Sequence, residues 1–153
     1  MRRFEPVTIP NHEAMVEFGL QLGASLRRGD VVLLHGDLGA GKTTLTQGIA
    51  RALGVEEAIQ SPTFSLVAEH DGRDGDGRPL RLYHLDLYRL DDPSELEGMG
   101  YAQYLAPEDG VTVIEWPDRA DDWLPASFWL LRIDHAPDGG RTIERSWHDL
   151  ERG

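Results

Sequence analysis

The sequence contains no cysteine. That excludes a disulfide framework, a thiol nucleophile and any zinc site built on thiolates. It has no apolar run long enough to cross a bilayer, and Met1-Arg2-Arg3-Phe4-Glu5-Pro6 lacks the apolar stretch of a secretory leader. The expectation is a cytoplasmic protein with no membrane partner. Positive charge is scarce: 15 Lys and Arg stand against 27 Asp and Glu, a net charge of −12. A protein that grips polynucleotide phosphates by itself carries a basic patch, and this chain repels nucleic acid overall. The six histidines are scattered without metal-ligand spacing. Neither a repeat nor a domain break is visible, so residues 1–153 are expected to form one domain with a substantial core.

What is present is concentrated in one stretch. Val31-Val32-Leu33-Leu34 reads as a buried strand, a glycine-rich turn follows, and a helix then opens. The turn matches G-x-x-x-x-G-K-[ST] at Gly36, Gly41, Lys42 and Thr43, the P-loop pattern. Glycines let backbone N–H groups close on phosphate oxygens, and the helix directs its positive dipole end at the same anion. Asp37, Leu38, Gly39, Ala40, Gly41, Lys42, Thr43 and Thr44 are therefore the expected nucleotide-binding loop. Lys42 would reach the β- and γ-phosphates, and the Thr43 hydroxyl would hold Mg²⁺. Lys42 is also the only lysine; the other 14 cations are arginines. The exception falls where a compact ammonium suits better than a planar fork.

The remaining chain reads as an α/β alternation. Phe4 to Ile9 suggests a short edge strand. Asn11 caps a helix carrying Met15, Phe18, Leu22 and Leu26, with Arg27-Arg28-Gly29 as its stop. Leu45, Ile49, Ala52 and Leu53 stripe the helix after the P-loop, and Gly54 ends it. Pro62 bars a helix at Ser61-Pro62-Thr63 and leads into an extended run to Ala68. Thr63 is either a turn hydroxyl or part of a switch loop sensing the γ-phosphate or its Mg²⁺. The polar stretch 71–79 is too short for a crossover, so its flanking strands should pair antiparallel. Asp92 and Pro93 open a short helix, and Tyr101 to Leu105 give another turn. Phe128 to Asp134 and Thr142 to Trp147 form a hairpin, with a frayed tail from His148.

Two acids end apolar strands. Asp86 closes the strand from Leu80, where Mg²⁺ or an arginine such as Arg89 would partner it. Glu115 closes Val111 to Glu115, where P-loop proteins place a second Mg²⁺ anchor. Glu115 is preferred as the water-mediated ligand, and both could face one ion. Lys42, Asp86 and Glu115 are the candidate catalytic residues; Thr43, Glu115 and Asp86 are the candidate metal set. Trp116 is read as a core or hinge aromatic. The fold class is a three-layer α/β P-loop NTPase-like domain, with a mixed sheet of parallel core and antiparallel hairpins. An Asn-Lys-x-Asp guanine motif is impossible because Lys42 is already used, so ATP is the expected nucleotide. A small-molecule P-loop kinase is the alternative enzyme, although no Arg-bearing helical lid is visible.

Four motifs together, Gly36 to Thr44, Ser61-Pro62-Thr63-Phe64, His84-Leu85-Asp86-Leu87-Tyr88-Arg89-Leu90 and Ile114-Glu115-Trp116-Pro117, resemble the bacterial TsaE (YjeE) ATPases. The likeness runs from about the first helix to Leu124-Pro125. It implies an ATPase that binds Mg-ATP and serves tRNA threonylcarbamoyladenosine synthesis with TsaD and TsaB. The shortage of cations beside the motifs leads us to expect slow turnover without a partner, and the net charge of −12 leads us to expect that tRNA is met only through that complex. It also implies a switch role for Ser61, Pro62 and Thr63, and places Asp86 and Glu115 around nucleotide and Mg²⁺.

Overall fold

A computed structural model describes residues 1–37, 39–59, 66–120 and 123–150. Leu38 and the Ser61-Pro62-Thr63 loop lie outside these residues. The strands are β1 (Arg2–Arg3), β2 (Val7–Ile9), β3 (Val31–Gly36), β4 (Val67–Arg73), β5 (Pro79–Asp86), β6 (Gly110–Glu115), β7 (Ser127–His135) and β8 (Arg141–Asp149). The helices are α1 (His12–Ser25), α2 (Lys42–Ala52), α3 (Glu95–Gly98) and α4 (Tyr101–Tyr104), with a 3₁₀ turn at Pro117–Ala120.

One mixed sheet runs β1-β8-β7-β3-β6-β5-β4, and β2 also pairs with β8. Its centre, β7-β3-β6-β5, is parallel. The β4–β5 and β7–β8 hairpins add the antiparallel strands. Central parallel strands are covered on both faces and so read as apolar runs, as β3 and β6 do. Alternation along β3 sends Val32 and Leu34 to one face and Val31 and Leu33 to the other. The first face packs Leu22 of α1 and Leu45 and Ile49 of α2; the second packs Leu96, Tyr101 and Ala120. The result is the expected three-layer arrangement.

Helices α1 and α2 meet through glycines. A Cβ on Gly19 would lie 2.5 Å from the Leu45 carbonyl oxygen and 2.9 Å from Gly48 Cα. That contact sets α1 hard against the helix that carries the P-loop lysine. As expected, Asn11 caps α1, its side chain accepting from the Ala14 N–H at 2.9 Å.

The boundaries differ from the sequence expectation in five places. The edge strand is two pieces, broken around Pro6, which has no N–H to donate to β8. Helix α1 ends at Ser25, before the arginines; Arg28 instead bonds Asp74 at 2.7 Å and the Pro79 carbonyl at 2.5 Å. Strand β4 runs on to Arg73, whose N–H donates to the Leu53 carbonyl at 2.6 Å, so the polar loop shrinks to 74–78. Asp92 caps a turn rather than α3: its carboxylate accepts from the Ser94 N–H at 3.0 Å, and the helix begins at Glu95. His148 and Asp149 are not frayed but belong to β8, and the Leu150 N–H bonds the Ala126 carbonyl at 2.8 Å. Among the described residues no helix is long and apolar enough to cross a membrane.

Candidate functional site

Strand β3 delivers Gly36 to the carboxyl end of the central strands, and α2 begins six residues later at Lys42. Between them the chain must turn sharply. Gly41, the residue before α2, sits at φ +106°, and a Cβ there would meet Met15 Cε at 2.9 Å. No other residue type fits both constraints. The first N–H groups of α2 have no helical acceptor and face this turn. The carbonyls of Gly39 and Ala40 are committed elsewhere. Arg141, at the start of β8, donates to them at 3.1 and 3.2 Å while also holding the Gly139 and Gly140 carbonyls at 2.9 Å. The closing hairpin is thereby fastened to the loop. Sequence reasoning missed Arg141 because its partner lies about a hundred residues away and is backbone.

Lys42 is only 5% exposed. Its ammonium donates to the Gly36 carbonyl at 2.6 Å and lies 3.6 Å from the centroid of the Trp116 ring. Desolvation lowers its pKa, opposed by the nearby carboxylates of Glu115, Asp86, Asp118 and Asp37. Trp116, read from sequence as a core or hinge aromatic, is partly buried against the Leu96 and Tyr101 cluster and also lines the cleft. It adopts φ +57°, the one positive φ outside glycine among the described residues, and its ring lies 5.0 Å from that of Tyr88. Left-handed backbone costs a large residue about 1–2 kcal/mol, so the surroundings hold it there. The strain turns the indole over Lys42 and into the cleft wall.

The two acids meet because β5 and β6 are parallel and in register, Asp86 opposite Glu115. The Leu87 N–H extends this pairing to the Glu115 carbonyl at 3.1 Å. Both acids lie at the carboxyl ends of their strands, where open α/β sheets bind ligands. Asp86 is half-buried. Its carboxylate accepts from the Tyr88 N–H at 3.0 Å, not from Arg89. Burial raises its pKa and the Glu115 charge raises it further, against the Tyr88 N–H, His84 and Lys42. Glu115 is 3% exposed, and its Oε2 lies 2.6 Å from Nε2 of the fully buried His84. His84 had a legible signal: it stands two residues before Asp86 on the same strand, hence on the same face.

A cleft of about 300 Å³ brings together Lys42, Thr43, Thr44, Asp86, Glu115 and Trp116, with Gly39 and Gly41 at its edge. Thus every candidate catalytic and metal residue lines one space. Asp37 stands at the loop's start, its carbonyl accepting from the Ala40 N–H at 3.1 Å. A second cleft, also about 300 Å³, shares Gly39, Gly41 and Thr44 and continues between Asn11, His12 and Met15 on one side and Gly139 to Arg141 on the other. Ala40 faces this second cleft. Sequence reasoning did not anticipate it, because it is assembled from the two ends of the chain.

A glycine-rich loop between a central parallel strand and a helix, with acids on the neighbouring strand ends, defines a P-loop NTPase-like fold. The crystal structure of Bacillus subtilis YdiB is similar, with a TM-score of 0.74 and 31% identity, covering 99% of this chain and 90% of that one. The family described as "Threonylcarbamoyl adenosine biosynthesis protein TsaE" matches residues 9–143. The chain belongs to the TsaE family. Two relatives are the tRNA threonylcarbamoyladenosine biosynthesis proteins TsaE of Haemophilus influenzae and Bacillus subtilis. The first is 39% identical over 89% of this chain and 85% of its own length. The second is 41% identical over 78% of this chain and 71% of its own length.

Proposed function

We propose that this chain is a Mg²⁺-dependent ATPase of tRNA threonylcarbamoyladenosine synthesis, one P-loop domain acting with TsaD- and TsaB-like partners. The observation that carries this reading is the convergence of Lys42, Thr43, Asp86 and Glu115 on the single cleft beside the P-loop. The loop N–H groups would hold the triphosphate, and the second cleft, between Asn11-His12 and the β7–β8 turn, would take the adenine. Lys42 exchanges the Gly36 carbonyl for a phosphate oxygen, a stronger acceptor because it is ionised.

The residues fit Mg²⁺. Among the described residues no three His, Cys, Asp or Glu side chains gather into a metal site. Mg²⁺ does not need such a cage; it takes one or two carboxylates with phosphate oxygens and water. Thr43, Glu115 and Asp86 would hold it, and there it would neutralise charge between the β- and γ-phosphates. Asp86 and Glu115 also stand where an attacking water must be oriented. Nothing favours a small-molecule kinase: the two helices between β5 and β6 have four residues each and no arginine to close over phosphates.

The test is equilibrium titration with a fluorescent ATP analogue, with and without Mg²⁺, followed by phosphate release alone and with TsaD and TsaB. Binding that Mg²⁺ strengthens, and hydrolysis that the partners accelerate, is expected. No nucleotide binding, or transfer of the γ-phosphoryl group to a metabolite, would end the proposal.

A further inference from the structure

We infer that His84 is a positioning residue for Glu115, holding one carboxylate oxygen so that the other is presented to the cleft. The inference rests on the Mg-nucleotide reading of that cleft. Three observations carry it. First, His84 Nε2 lies 2.6 Å from Glu115 Oε2, and the two side chains are 0% and 4% exposed. Second, the other ring nitrogen, Nδ1, is buried with no hydrogen-bond partner among the described residues. Third, the ring comes from a strand whose other buried positions are Leu80, Leu82, Tyr83 and Leu85, leucine in three of four.

The chemistry follows from these. A packing role alone would be served by another leucine, without burying an unpartnered polar atom. The imidazole is therefore retained for what its one satisfied nitrogen does. Nε2 must carry the hydrogen, because a carboxylate only accepts. The contact thus fixes Nε2 as the nitrogen that donates to Glu115. Held at Oε2, the Glu115 carboxylate cannot rotate freely, and Oε1 is the oxygen left for a cation or a water. Outer partners of metal-binding carboxylates act in this way, and losing one weakens the metal by about 10–100-fold.

The discriminating variants exploit side-chain length. Glutamine places its amide nitrogen where imidazole Nε2 stands; asparagine places it near Nδ1; leucine fills the space and donates nothing. The readout is the affinity of a non-hydrolysable fluorescent ATP analogue, measured without metal and across an MgCl₂ titration. For His84→Leu and His84→Asn, metal-free affinity stays at the wild-type level while half-saturating Mg²⁺ rises by about tenfold or more. His84→Gln recovers most of that loss. In turnover at limiting MgCl₂, kcat falls for Leu and Asn and recovers in Gln. A second measurement needs no variant: nitrogen-15 spectra of the wild-type imidazole should show a hydrogen on Nε2 of His84. Wild-type Mg²⁺ dependence in His84→Leu, glutamine no better than leucine, or an Nδ1–H tautomer would each overturn the inference while leaving the nucleotide reading intact. Failure of the wild-type protein to bind the analogue would overturn that reading and this inference with it.

Discussion

At the scale of single residues, the site is held in a waiting arrangement. Lys42 is hydrogen-bonded to the Gly36 carbonyl and capped by the Trp116 ring. Removing the ammonium should cost nucleotide binding a charge-assisted contact, so Lys42→Ala is expected to weaken ATP by about 1.5–3 kcal/mol, read by equilibrium titration. Removing its cover should do the opposite to its protonation. The Lys42 pKa is lowered first by desolvation. Trp116→Ala lets water in, so the pKa should rise toward the ordinary lysine value. Because Lys42 is the only side-chain amine, the pH dependence of its acylation reports this directly, and an unchanged or lower midpoint would contradict it. Lys42, Asp86 and Glu115 were legible in the sequence because motif spacing and strand-end position are local properties. Trp116, Arg141 and His84 were not assigned these roles there. A positive φ, a bond to a distant carbonyl and a cross-strand contact are settled only when the sheet assembles.

At the scale of elements, two contacts outside the cleft tie neighbouring elements together. The α1–α2 crossing brings Gly19 and Gly48 together, and a Cβ on Gly48 would lie 2.4 Å from the Val16 carbonyl oxygen. Backbone cannot retreat from such a clash as a side-chain end can, so Gly48→Ala should destabilise by about 1–3 kcal/mol, measured by denaturant unfolding. The second contact ties the turn after α1 to the β4–β5 hairpin through Arg28 and Asp74. The Arg28 hydrogen bond, with backbone N–H groups of Arg78 and Asp76, holds the Asp74 pKa down at about 2, against desolvation. A depressed carboxyl adds stability that is complete above its unfolded pKa near 4 and is lost as pH falls toward 2. Asp74→Asn should flatten the acid limb of stability in that window, and an unaltered limb would refute the tie. Element type was readable along the chain because periods of two and of three to four residues differ plainly. Their ends were less so. Leu53 takes the N–H of Arg73 and so prolongs β4, while β8 is prolonged by β7; both partners are remote in sequence.

At the scale of the whole molecule, the distribution of positive charge sets what the protein can do alone. Hydrolysis requires a positioned water and usually a further cation at the transition state. Among the described residues Lys42 is the only cationic side chain lining the cleft; Arg89, which does not bond Asp86, is not part of its lining. Arg141 is committed to four backbone carbonyls, and Arg28 to Asp74 and Pro79. Arg119 is exposed and lies over the ring of Tyr88, a residue of the cleft wall, at 5.7 Å, but does not itself line the cleft. Intrinsic turnover should therefore be slow, with the missing cation or the missing order supplied by a partner that docks when ATP is bound. The net charge of −12 bears on the same partner. A chain so acidic gains no counterion release from tRNA overall, so the partner must supply most of the phosphate contacts. Two measurements separate this from self-sufficiency: phosphate release by the protein with and without TsaD and TsaB, and tRNA retention across a salt series. Expected are a partner-dependent rise in turnover and negligible tRNA binding by the isolated chain at any salt. Fast hydrolysis in isolation would show that the cleft already holds its full catalytic charge. Tight, salt-sensitive tRNA binding would show that a local basic surface outweighs the overall field.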